Sequence, residues 1–425
     1  MIEEKQGRNM HDDYQETSKQ QMMMSNLRSI ITKKIDMSRE VTDEELYEHI
    51  DSVLMMQEYR KAFSVKERIQ LRQMLYDSFR RLDILSEIMD DHDITEIMVN
   101  GQNCIYVEKH GEIMLYPKAF SSKSKLEDVI QQIVARVNRR VNEANPMADA
   151  RLEDGSRVNI ILPPVALDGP AVTIRRFSVN PPDMKQLLVW NSLTDEAARF
   201  LEYLVKARYN IFISGGTGSG KTTFLGALAE YIPKDERVIT IEDSAELRLY
   251  HIKNLVRLES RNANQEGMYE VTIRDLIRNS LRMRPDRIIV GEVRGSETLD
   301  MLQAMNTGHD GSLSTGHGNS AYDMIKRLET MVLMGVELPI NAIRGQIASA
   351  IDIIIHLGRL RDHSRKVLSI HEVTGTDEHG NVTLSTLYQF KETGGKDGIV
   401  EGRLEPVNKL KNQEKLRSAG IVLPL

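Results

Sequence analysis

Hydrophobic positions along the chain change their spacing in steps, and each step marks a different kind of element. Residues 1–38 mix charge, Gln and the run Met22-Met23-Met24 with no sustained period, which reads as a mobile tail. Two capping boxes follow, Thr42-Asp43-Glu44-Glu45 and Ser64-Val65-Lys66-Glu67, each pairing a side-chain acceptor with a reciprocal carboxylate at a helix start. Leu71, Leu75, Phe79 and Leu82 then recur at helical spacing, so a small helical bundle is predicted over 39–90. From Thr95 the pattern turns strand-like in ITEIMVNG and NCIYVEKHGEIMLY. It returns to a helix whose Leu126, Val129, Ile130, Ile133, Val134 and Val137 share one face. Strand signals resume in ARLEDGSRVNIILPP and GPAVTIRRFS, broken at the turn dipeptides Asp154-Gly155 and Asp168-Gly169. The expectation is an α+β domain over 91–178, left through a linker at 179–192 that begins Val179-Asn180-Pro181-Pro182.

Beyond that linker, strand and helix alternate over 193–400, the pattern of an α/β fold with a mainly parallel sheet; 401–425 reads as a charged, peripheral extension. One junction carries chemistry. The apolar run Ile211 to Ile213 leads into Gly215-Gly216-Thr217-Gly218-Ser219-Gly220-Lys221-Thr222, and a helical pattern starts at Thr223. Strand, glycine loop and helix in that order make a phosphate-binding loop, whose backbone N–H groups converge on phosphate oxygens at a helix N-terminus. Lys221 is expected to reach the β and γ phosphates, and Thr222 to place its hydroxyl on Mg²⁺. A nucleoside triphosphate with Mg²⁺ is therefore the expected ligand.

Composition narrows the setting. Hydrophobic residues at 40% and charged residues at 28% describe a soluble globular chain. A net charge of −6 argues against a nucleic-acid footprint. One cysteine, Cys104, excludes an intrachain disulfide and a four-cysteine zinc site, which favours the cytoplasm. No run approaches the roughly 18 apolar residues of a membrane span, and the N-terminus lacks the order of a signal peptide. Membrane contact is expected only through partners.

A phosphate loop alone leaves kinase, switch, transporter and motor open. Many P-loop ATPases end a strand with an Asp for Mg²⁺ followed by a Glu for the attacking water. Here Gly291 takes the first place and Glu292 the second, so Glu292 fits the water-polarising role. Glu242 and Asp243, at the end of VITIEDSAEL, are the candidates for the missing metal-shell carboxylate; solvated strand ends are the plainer alternative. His309 and His317 bracket an expected loop in TGHDGSLSTGHGNS, where His317 is a candidate γ-phosphate sensor. Arg157 and the pair Arg175-Arg176 are candidates for charge delivered from the preceding domain. Arg274, Arg278 and Arg282 form a basic helix stripe whose bland reading is a salt-bridged face.

From about Thr95 to Leu360 the chain resembles the type II/IV secretion ATPases, and within them the CpaF/TadA family of Tad-pilus assembly motors. TEIMVNG, SGGTGSGKTTF, VITIEDSAELRL, TIRDLIRNSLRMRPDRIIVGEVRG, LDMLQAMNTGHDGS and RLETMVLMGVELP carry the resemblance, with the strands around Arg157 and Arg175. It implies a PAS-like N-terminal domain hinged to a RecA-like ATPase domain, with Mg-ATP as cofactor, in a homohexamer acting on inner-membrane platform proteins at the cytoplasmic face. Carried over residue by residue, Lys221 and Thr222 form the Walker A pair. Glu242 and Asp243 belong to the Asp box, Glu292 is the Walker B glutamate and His317 the His-box histidine. Arg157 and Arg175 match the arginines turned toward the γ-phosphate. Gly316 and Gly318 depart from the apolar residue and alanine that usually flank the histidine, and two glycines predict a looser loop there. A ring ATPase that moves nucleic acid and a nucleotide-binding scaffold without turnover are the alternatives.

Overall fold

Both predicted capping boxes form. Thr42 Oγ1 accepts from the Glu45 N–H at 3.3 Å and the Glu45 carboxylate accepts from the Thr42 N–H at 3.1 Å; Ser64 and Glu67 repeat the exchange at 3.3 and 2.7 Å. They start helices Asp43–Leu54 and Val65–Arg80 in a computed structural model that describes residues 23–24, 26–35, 41–80, 82–109, 111–136, 141–152, 154–176, 181–261, 270–396 and 398–423. The chain divides into two units, Met1–Phe177 and Ser178–Leu425.

In the first unit, Leu46, Ile50, Val53 and Leu54 pack against Leu71 and Leu75. The helical layer begins earlier than the sequence pattern indicates: residues 26–32 are helical, and Leu27 and Ile31 are fully buried in this cluster. A single i,i+4 apolar pair is too short to register as a period. Residues 1–22, 25 and 36–38 of the expected tail lie outside the described residues. Next comes an antiparallel sheet of β1 (Ile94–Asn100), β2 (Ile105–Lys109), β3 (Glu112–Leu115), β4 (Met147–Arg151), β5 (Arg157–Ile161) and β6 (Ala171–Arg175), in the order β3-β2-β1-β6-β5-β4. Helix Lys123–Arg136 covers it, with Leu126, Val129, Ile130, Ile133 and Val134 packed on Ile97, Val99, Val158, Ile160, Val172 and Ile174. Val137 falls outside the described residues.

The second unit resumes inside the stretch expected to be linker. Residues 177–180 are not described, but the Asp183 carboxylate caps helix Met184–Val189 by accepting from the Gln186 N–H at 2.8 Å, and Met184 and Leu187 enter the core. The sheet here comprises β7 (Ile211–Gly215), β8 (Arg237–Glu242), β9 (Asn254–Glu259), β10 (Arg287–Val290), β11 (Leu313–His317), β12 (Ile353–Arg359), β13 (Arg365–Thr376), β14 (Val382–Lys396) and β15 (Ile399–Pro406). Its order is β15-β14-β13-β12-β7-β11-β10-β8-β9. Pairings from β12 to β9 are parallel, and β13 to β15 extend the sheet antiparallel. Strand β7 is buried throughout, and apolar from Ile211 to Ile213, because both faces are covered. Ile211 and Ile213 join a cluster with helices Asp195–Lys206 and Lys221–Ala229. Phe212 points the other way, toward helices Glu297–Asn306, Ala321–Leu333 and Ile340–Ala350.

Two sequence expectations change. The stretch taken as a loop around GSLSTG is β11, inserted between β7 and β10; its Ser and Gly content carries no strand signal, yet its neighbours leave little room for anything larger. The C-terminal residues are not peripheral. Strand β15 edges the sheet, Leu410 and Leu416 are buried in the core, and Lys415 Nζ lies 2.7 Å from both Asp310 and Asp352.

Strand β13 also buries His371, whose ring nitrogens lie 2.8 Å from Ser369 Oγ and 3.2 Å from Thr386 Oγ1. Burial, helped by nearby His356, pushes this imidazole down to about 4 from its ordinary 6.5. The unfolded chain then holds the extra proton, so stability present above pH 6.5 is lost as pH falls toward 4. Between pH 7 and 5 the expected loss is on the order of 1–2 kcal/mol, allowing for partial solvent screening. Urea titrations at both pH values check this: His371→Asn should show the smaller pH dependence.

Candidate active site at the ends of the parallel strands

The phosphate loop leaves the carboxyl end of β7, where ligands of open parallel sheets gather. Gly218 and Gly220 take φ of +71° and +89°, a backbone that other residues adopt only under strain. Gly216, Thr217 and Gly218 are exposed, while Ser219 is buried with its hydroxyl donating to the Gly216 carbonyl at 2.8 Å. Helix Lys221–Ala229 starts directly behind, with Thr222 and Thr223 half-buried in its first turn. Lys221 Nζ donates to the Gly215 and Gly216 carbonyls, each at 3.1 Å, and lies 3.2 Å from His317 Nδ1.

That last contact fixes the histidine's tautomer. An ammonium only donates, so Nδ1 accepts and the ring proton sits on Nε2, which lies 2.9 Å from Glu292 Oε1. Burial lowers the His317 pKa, and the Lys221 and Arg294 charges add to the drop against the pull of Glu292. The imidazole is therefore neutral near pH 7.

Glu292 stands beyond the end of β10. Its Oε2 accepts from Arg294 Nε at 2.9 Å and Nη2 at 2.6 Å, whereas Oε1 is buried without an aligned hydrogen-bond donor. Backbone bonds carry the strand pairing past its end: the Thr315 hydroxyl donates to the Gly291 carbonyl at 2.7 Å, and the Val293 N–H to the Thr315 carbonyl at 3.0 Å. They hold Glu292 beside His317. Arg294 also lies 3.9 Å from Asp243, so contacts run unbroken from Lys221 through His317, Glu292 and Arg294 to Asp243.

Glu242 faces this group from the end of β8 and is buried. Its Oε1 accepts from the Glu246 and Leu247 N–H groups, each at 3.0 Å, which anchors the following loop. Burial pushes the carboxyl up to about 7 despite those bonds. The same side chain accounts for Gly291: a Cβ at 291 would meet Glu242 Cγ at 2.9 Å. Asp243 is exposed and accepts from the Ser260 hydroxyl at 2.9 Å.

The glycines around His317 serve close packing rather than looseness. A Cβ at Gly316 would lie 3.0 Å from Phe212 Cζ and 3.1 Å from Met324 Cε, and one at Gly318 would lie 2.7 Å from Ser214 Oγ. Gly316 is buried in β11, and His317 pairs with Gly215 across the sheet. His309 precedes the opposite end of β11 and stands apart from this group; its carbonyl accepts from the Ser312 hydroxyl at 2.7 Å. Arg274 and Arg278 converge on buried Asp300 at 2.8 and 2.7 Å, the salt-bridged alternative for the basic stripe.

In the first unit, Arg157 pairs with Arg175 across β5 and β6, and Arg151 pairs with Arg157 across β4 and β5. Arg157 lies 3.8 Å from Asp149, and Arg175 lies 3.7 Å from Glu96. Sequence reasoning overlooked Arg151 and Arg294. Arg151 marks a strand end just as Arg157 and Arg175 do, and Arg294 follows Glu292 by two residues.

Residues 80–417 match the model of the type II/IV secretion system protein family. The chain belongs to this family. Among relatives of this type II/IV secretion protein, a putative conjugal transfer protein of Mycobacterium tuberculosis is 34% identical over 293 residues, covering 68% of this chain and 83% of that one. VirB11 of Agrobacterium fabrum is 33% identical over 298 residues, covering 63% and 86%. In fold, the ATPase DotB of Legionella pneumophila is similar at a TM-score of 0.50 and 23% identity, over 70% of this chain and 81% of that one. The second unit thus has the RecA-like fold, and as a member of the type II/IV secretion family the chain is an ATP hydrolase. The exposed glycine cradle, the helix start behind it and the buried Glu292 oxygen beside His317 fit a triphosphate and its attacking water.

Proposed function

We propose that this ATPase is a motor of the CpaF/TadA kind, a homohexamer that couples ATP hydrolysis to assembly of a Tad or type IV-like pilus, or to secretion, across the cytoplasmic membrane. The continuous contact chain from Lys221 to Asp243 carries the hydrolytic part of this reading. Bound Mg-ATP supplies the phosphoanhydride and a metal charge on its phosphates. The loop N–H groups and Lys221 hold the phosphates, Thr222 with Glu242 and Asp243 serves the metal side, and Glu292 orients water. Arg157 and Arg175 neutralise charge on the γ-phosphate. The motor works at the cytoplasmic face through inner-membrane platform proteins, and among the described residues no helix is long and apolar enough to cross a membrane.

Relatives described as conjugal transfer proteins favour a second reading, a ring that moves nucleic acid; the net charge of −6 opposes it. ATPase assays of the full chain with and without duplex DNA across a salt series separate the two. The motor reading expects turnover indifferent to DNA, with Lys221→Ala cells lacking surface filaments or secretion. Strong DNA stimulation that fades steeply with salt overturns it.

A further inference from the structure

We propose that His356 positions the turn following His317 and thereby sets the sensor histidine against Glu292. The proposal rests on the hydrolytic reading above. Strand β12 runs beside β7 with His356 opposite Ser214 and Leu357 opposite Gly215, so the ring lies one residue short of the phosphate loop. It is 8% exposed. Its Nδ1 lies 3.3 Å from Ser214 Oγ, and the ring adjoins the Asn319 backbone.

Those two partners belong to different segments of the site: Ser214 is the penultimate residue of the strand that feeds the phosphate loop, whereas Asn319 stands two residues after His317. Their segments also touch directly: the Gly318 N–H donates to the Gly215 carbonyl at 3.4 Å, and Ser214 Oγ lies 3.5 Å from the Ser320 carbonyl. Gly318 approaches so closely that a Cβ would sit 2.7 Å from Ser214 Oγ. One buried ring therefore spans both segments from beneath, and a histidine filling space in the core has no need of this pair of partners. His317 itself is reached only through the backbone of 318 and 319, which makes His356 a positioning residue.

The experiment is a double-mutant cycle on ATP turnover by the full chain, using His317→Ala, His356→Ala and the double variant, with His356→Gln as the conservative substitution that keeps a hydrogen-bonding group against Ser214 and Asn319. Expected is a fall in kcat of about tenfold for His356→Ala from misplacement of the sensor, with KM for ATP within about twofold and much of the loss restored in His356→Gln. In the His317→Ala background His356→Ala should cost nothing further. Losses that add in full, or a lowered Tm with kcat unchanged, overturn the proposal while leaving the hydrolytic reading intact. A wild-type kcat in His317→Ala removes the reading and the proposal together. Should His356→Ala fail to fold, Ser214→Ala takes its place in the cycle, and full additivity with His317→Ala then overturns the proposal.

Discussion

Replacing Glu292 with Gln is expected to lower kcat for ATP by roughly 10²–10³-fold while nucleotide binding stays near wild type. The amide has nearly the shape of the carboxylate, so packing is preserved. What changes is charge. Arg294 grips Oε2 with two nitrogens and thereby fixes the carboxylate plane, leaving Oε1 buried and without an aligned donor. An oxygen in that condition is a strong acceptor for a water proton, and the neutral Nε2–H of His317 at 2.9 Å does not remove its charge. A glutamine loses both the negative charge and the basicity, and its Arg294 contact weakens to a charge–dipole interaction. Fluorescent ATP-analogue titration beside phosphate-release rates separates the steps. Unchanged release would dismiss Glu292 as the water-polarising group. Lys221→Ala supplies the contrast, because the direct phosphate ligand is expected to lose binding as well as turnover.

Why Glu292 was visible in the sequence and Arg294 was not follows from the kind of constraint each obeys. Local rules fix the phosphate loop: glycines at positive φ, an apolar strand before and a helix start behind must stand in order along the chain, so spacing alone reveals them. Glu292 inherits that legibility because a strand end is also a local feature. The capping boxes belong to the same class. By contrast, Gly291 is a glycine because Glu242 of the neighbouring strand fills the space a Cβ would need, and no local pattern announces a contact between strands. Strand β11 was hidden for the same reason. Its Ser and Gly residues look like a loop until Phe212 and Met324 are seen to leave no room for larger ones. Leu27, Ile31, Leu410 and Leu416 were missed because one or two apolar residues amid charge set no period. Tertiary contacts, then, account for most of what the sequence concealed.

Arg287 is the sharpest case of concealment, and its removal is expected to have the largest effect on stability. At the start of β10 an arginine reads as an exposed strand end, yet this side chain is fully buried. Its Nε and Nη2 grip the Glu236 carboxylate, and Nη1 donates to the Val205 carbonyl at 2.7 Å. Arg287→Ala strips a buried acid of its main partner, a loss usually costing about 3–5 kcal/mol, while the Val205 carbonyl keeps the Arg208 N–H at 3.1 Å. Arg208, 3.2 Å from Glu236, remains and holds the expected cost to the lower end. At roughly 2–4 °C per kcal/mol for a unit of this size, the melting transition should fall by about 6–12 °C. Arg287→Met with Glu236→Leu should recover much of that, since replacing both charges leaves nothing unpaired. Turnover per folded molecule at low temperature should be kept, because Arg287 opens β10 at the end opposite Glu292. A fall in kcat without a fall in Tm would instead tie the buried pair to the chemistry.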